Sequence, residues 1–103
     1  MKLAAIKAMF QVGDVVLVTR SGNTPIVIVG NTGTTVMPGN NGTERRTITA
    51  CRSGDWIMAK PDGRYVHTTY PKAKEVMYVG EGLLNFQYDN GTVITIEKEG
   101  RKP

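Results

Sequence analysis

The sequence predicts an all-β protein: a small barrel or compact sandwich of about three hairpins, with a short N-terminal helix or arm. Three observations predict it. Leu84-Asn85-Phe86-Gln87-Tyr88 and Val93-Ile94-Thr95-Ile96-Glu97 alternate apolar and polar residues on either side of Asp89-Asn90-Gly91. That is the pattern of a hairpin with one wet face. Glycine makes up 12 of the 103 residues, as short strands joined by turns require. Gly13-Asp14, Gly54-Asp55 and Gly80-Glu81 each precede an apolar run, a polar turn and a second run.

Taken in chain order, Leu3, Ile6 and Phe10 fall on one helical face, so the first ten residues read as a short helix or arm. Lys7 interrupts their apolar run before it reaches the ~7–15 residues of a signal peptide. A first hairpin is expected over 13–29, Val15–Val18 and Ile26–Val29 flanking the turn Ser21-Gly22-Asn23. The Gly- and Asn-rich stretch after it predicts one short strand near Thr34–Met37 and an exposed, mobile loop near Pro38–Thr43. Arg46–Cys51 alternates as a strand. A second hairpin is expected over 54–69, where Pro61 presets φ and Gly63 permits a positive one. Thr69–Glu75 has room for one helical turn, with Thr69 as cap and Pro71 in its first position. The third hairpin covers 82–98. Leu84, Phe86 and Tyr88 face Ile94 and Ile96 there, and Asn90-Gly91 supplies a two-residue turn with positive φ. The whole reads as one domain, residues 1–103. At this length a barrel of the SH3-like kind suits the pattern, because closure removes exposed edges.

Composition narrows the chemistry. Cys51 is the one cysteine, so no intramolecular disulfide forms, and a zinc site lacks ligands. Neither metal nor cofactor is expected, and a reducing, cytoplasmic setting fits best. No window approaches the roughly 20 apolar residues of a membrane span. Cys51 and His67 are the candidates for a nucleophile and its base. A lone cysteine in such a strand more often packs as a small buried hydrophobe. Asp14 and Asp55 read as turn caps.

Charge is uneven along the chain. Between Glu44 and Lys74 stand seven basic and three acidic residues, whereas five acids and three bases follow from Glu75. The middle segment is the candidate site. Arg45, Arg46, Arg52, Lys60 and Arg64 would meet phosphate, and Trp56 or Tyr65 would stack. The partner would be nucleic acid or a nucleotide-like, phosphate-bearing ligand. The competing reading is an ordinary solvated strand face. Gly39–Thr43 with Arg45 and Arg46 suggests a backbone cradle for phosphate, although no P-loop lysine or helix follows. Trp56 is either the largest block of core or an exposed platform, and Ile57 and Met58 beside it favour core.

Some stretches resemble known families. Gly13-Asp14-Val15-Val16-Leu17-Val18, with Gly22 and Ile26–Gly30, resembles the opening of KOW-type and other SH3-like barrels. That resemblance implies binding of nucleic acid or protein. The same stretch is similar to the start of the MazF/PemK ribonuclease toxins, which implies RNA cleavage. Thr24 stands before Pro25 where those proteins carry arginine. Gly54-Asp55-Trp56-Ile57 with Asp62-Gly63-Arg64-Tyr65 is similar to a hairpin of small uncharacterised phage proteins, which implies a source more than an activity.

The reading is therefore a non-enzymatic binding module for an anionic partner. Three alternatives stand beside it. One is a phage-encoded accessory or inhibitor that binds a host protein or a signalling nucleotide. Another is a structural subunit of a phage assembly, for which a homo-oligomer is expected. The third is an endoribonuclease.

Overall fold

The computed structural model describes residues 3–22, 26–30, 33–37 and 42–100. Helix α1 (Leu3–Ala8) precedes β1 (Val15–Ser21), β2 (Ile26–Gly30), β3 (Gly33–Met37), β4 (Gly42–Cys51), β5 (Asp55–Ala59) and β6 (Tyr65–Thr69). A single 3-10 turn, Ala73–Glu75, leads into β7 (Val76–Gly80), β8 (Leu83–Gln87) and β9 (Val93–Lys98). The protein is all-β with a short N-terminal helix, as its alternating pattern predicts. Seven strands form one antiparallel sheet in the order β6-β5-β4-β1-β9-β8-β7, and β2 pairs only with β3.

Among the described residues, that sheet supplies nine of the twelve that form the core. Val16 and Val18 of β1, Ile48 of β4, Trp56 and Met58 of β5, and Leu84, Phe86, Ile94 and Ile96 of β8 and β9 join one buried cluster. Ile6, Phe10 and Tyr70 complete it. Strands so far apart in the sheet reach one cluster only if the sheet curls. The hydroxyl of Tyr88, just past β8, donates to the Thr69 carbonyl at the end of β6 across 2.6 Å. Five strand steps separate β6 from β8, roughly 24 Å in a flat sheet. Register shifts at Ile48/Ala50 in β4 and Val76/Tyr78 in β7 add the local bend that such curling needs. Among the described strands, β6 and β7 each keep one unpaired edge, so the sheet does not close into a ring.

The second and third hairpins form as the sequence predicts. Leu84 pairs with Ile96 and Phe86 with Ile94, all four buried. The turn geometry differs from expectation. Tyr88 N–H donates to Thr92 O and Gly91 N–H to Tyr88 O, so three residues make the loop. Gly91 has φ +91°, and no non-glycine residue described has a positive φ. Asn90 instead caps locally, its side-chain oxygen accepting from Thr92 N–H. The β5–β6 turn repeats this arrangement: Gly63 N–H donates to Lys60 O, Arg64 N–H to Asp62 Oδ1, and Gly63 has φ +86°. Two turns of one design thus follow from Pro-Asp-Gly and Asp-Asn-Gly.

The hairpin expected over 13–29 does not form. Both edges of β1 are taken, by β4 on one side and β9 on the other, so β2 finds its partner in β3. The strand expected near Thr34–Met37 is β3. Of the loop expected near Pro38–Thr43, Gly42 and Thr43 begin β4 and residues 38–41 lie outside the described residues. Thr69 ends β6 rather than capping a helix. Glu75 holds the short turn instead, accepting from Lys72 N–H at 2.8 Å and from Asp89 N–H at 3.1 Å.

Gly22 and Gly63 both have positive φ, but only Gly22 would bring an added Cβ within 2.9 Å of another backbone atom, the Gly91 carbonyl oxygen. Gly63→Ala should lose about 1–2 kcal/mol, the usual cost of the left-handed region. Gly22→Ala should lose clearly more. Urea midpoints of the two variants check the order.

Candidate functional site: a basic groove on the inner face

The same alternation that builds the core also builds a charged groove at one end of it. Along β1 the inward positions run Val16, Val18, Arg20. Along β4 they run Ile48, Arg46, Glu44, and along β5 Trp56 and Met58 lead to Lys60. The pairings Val16–Arg46, Val18–Glu44 and Arg20–Ile94 place these residues on one face. Beyond Val18, Ile48 and Met58 the inner face therefore turns from apolar to cationic.

Two adjoining lobes make up the groove, with cavity volumes of about 540 and 400 Å³. Arg20, Arg46 and Val66 line both. The larger lobe continues along β6 and is walled by Tyr88 and Ile94. The smaller holds Glu44 and Lys60. Glu44 is the one carboxylate in either lining; its oxygens lie 2.8 Å from Arg46 Nε and 3.7 Å from Lys60 Nζ. Three cations share a concave surface with a single anion.

The sequence-predicted binding residues divide sharply. Arg46 and Lys60 lie in the groove. Arg45, adjacent to Arg46 on a strand, points to the opposite face and pairs with Glu99 at 2.8 Å. Arg52 sits beyond the end of β4 with Asp55, and Arg64 sits in the β5–β6 turn with Asp62, its side chain 82% exposed. Tyr65 is 66% exposed at the start of β6, away from the groove lining. Trp56 is fully buried and cannot stack on a ligand. It meets Phe10 and Tyr70 edge-on at 5.7 and 4.5 Å, and its indole N–H lacks a partner among the described residues. Arg20 was outside the predicted set, although Val16-x-Val18-x-Arg20 carries the signal.

His67 stands at the lip of the larger lobe, its Nδ1 3.1 Å from Asp55 Oδ2. Cys51 is exposed rather than buried, and its thiol donates to the Phe10 carbonyl at 3.4 Å. Both are thus engaged elsewhere than with each other. Asp14 caps locally, as predicted, by accepting from Gln11 N–H at 2.9 Å. Among the described residues no group of three or more His, Cys, Asp or Glu is placed to hold a metal ion. None of the helices described is long and apolar enough to cross a membrane. Another cavity, between α1 and residues 70–73, is lined mainly by apolar groups such as Leu3, Ile6 and Pro71.

Burial raises the Tyr88 phenol to about 12; the Glu75 carboxylate adds to the shift and Arg20 opposes it. The Tyr70 phenol is raised too, mainly by burial and further by Cys51 and Asp55. Comparison with family models, with curated proteins and with solved structures finds no match for this chain.

A raised phenol pKa means that the folded state favours the neutral form. The stabilisation from Tyr88 is complete below its ordinary value of 10.0 and is lost as pH rises through about 12. Tyr88→Phe should flatten the fall in urea stability across that window, leaving the share due to Tyr70. At neutral pH the variant should lose about 1 kcal/mol with the Thr69 hydrogen bond.

Proposed function

We propose that this chain is a non-enzymatic β binding module that holds a phosphate-bearing ligand, nucleic acid or a nucleotide-like molecule, in the groove of Arg20, Arg46 and Lys60. One observation supports the reading above the others: three cations converge with one carboxylate on a concave, partly apolar surface. Guanidinium groups suit phosphate because they offer several donors in a fixed plane. Low-polarity walls such as Val66 and Ile94 strengthen that attraction. Arg45, Arg52 and Arg64, spread over other surfaces, fit the solubilising role instead.

Fluorescence anisotropy with a labelled single-stranded oligonucleotide tests the proposal. With three phosphates neutralised, log affinity should fall against log salt with a slope of roughly 2, from about 0.7 per phosphate. Arg46→Gln should weaken binding by roughly tenfold or more, and Glu44→Gln should strengthen it. Arg45→Gln and Arg64→Gln should leave it unchanged. An affinity indifferent to salt and to Arg46 would remove the proposal.

A second reading rests on the other edge of the sheet. β7 carries no charged residue, and its Met77, Tyr78 and Val79 are exposed. Uncharged, apolar edges invite strand addition from another protein or another copy, which supports the accessory-protein and self-assembly alternatives. Val79→Lys should then convert any oligomer seen by light scattering to monomer; a wild-type monomer that captures no partner rules this reading out.

A further inference from the structure

The groove runs along a strand edge, and that edge has a chemistry of its own. In the β5–β6 pair, Lys60 N–H donates to Arg64 O at 2.7 Å and Tyr70 N–H donates to Gly54 O at 3.2 Å. Antiparallel ladders alternate, so residues 64, 66, 68 and 70 turn their backbone groups toward β5. Tyr65, His67 and Thr69 turn theirs outward, to the edge that no described strand covers. The Thr69 carbonyl is occupied by the Tyr88 hydroxyl at 2.6 Å. Tyr65 does not line the groove, whereas His67 does. His67 therefore offers one backbone N–H and one backbone C=O, side by side, with no backbone partner among the described residues.

We propose that the ligand of this groove is a nucleoside phosphate whose base edge pairs with the His67 backbone while its phosphate meets Arg20 and Arg46. This rests on the phosphate-binding reading and narrows it. A base edge with an adjacent donor and acceptor, as on adenine, complements an N–H and C=O that point the same way. Tyr88 and Ile94 give the base apolar surface, and a lobe of about 540 Å³ falls within the usual range for small-molecule sites. A full peptide strand fits less well. The Tyr88 phenol closes the edge at Thr69, so one residue's pair of groups is open to the groove where strand addition uses several.

The test titrates the whole protein at low salt with adenosine monophosphate, its dimethylamino analogue and ribose phosphate, following backbone amide resonances. Two hydrogen bonds should make adenosine monophosphate bind roughly tenfold or more tighter than ribose phosphate. The His67 amide should shift, and the dimethylamino analogue, which lacks the base donor, should lose most of the advantage. His67→Pro removes the N–H at an edge position where proline is tolerated. It should bring the affinity ratio of the two ligands close to one, whereas His67→Ala should keep the ratio. Equal wild-type affinities for adenosine monophosphate and ribose phosphate would overturn the base assignment and leave phosphate binding standing. No binding of either would overturn both. A polyglutamate peptide that shifts the His67 amide more strongly than the nucleotide would assign the groove to a protein strand and overturn the proposal.

Discussion

Strands β1, β4, β5, β8 and β9 turn apolar side chains into one cluster, which among the described residues is completed by Ile6 of α1, Phe10 and Tyr70. Gathering the apolar side chains of strands this far apart into one cluster requires the sheet to curl. The rest follows from this constraint. Curling brings β6 toward β8, sets the Tyr88 hydroxyl on the Thr69 carbonyl, and turns the inner face into a concavity. Where the inward residues are valine, isoleucine and tryptophan the concavity fills solid. Where they become Arg20, Arg46 and Lys60 it stays open, because charged groups keep access to water.

Local information in the sequence carried further than long-range information. The hairpins over 54–69 and 82–98 were legible because a glycine-bearing turn and two alternating runs lie within twenty residues. Even there the turn is one residue longer than Asn-Gly predicts, since Asn90 uses its side chain as a cap instead of adopting positive φ. The 13–29 hairpin failed for the opposite reason. Its local signals were good, but β1 is claimed by β4 and β9, and periodicity does not reveal partners so distant.

The site was half legible. Counting charges along a segment singled out Arg45 and Arg46 together, although a strand sends neighbours to opposite faces. Reading period two from the core outward would have separated them, kept Arg46 and Lys60, and added Arg20. Trp56 lies on the same inward row as Met58 and Lys60, which is why it is core and not platform. The curl that makes the groove concave is set by all seven strands at once and leaves no mark on any single stretch.

The central place of β1 has a consequence for how the chain is made. Its partner Arg46 lies 30 residues downstream of Val16 and its partner Lys98 lies 82 residues downstream. A nascent chain leaving the ribosome therefore exposes this valine-rich strand early and holds it with one bare flank until β9 emerges. Loop closure over such a span is slow, and synthesis adds only about 5–20 residues each second. Until then that flank is open to pairing with another strand, of this chain or of a neighbour.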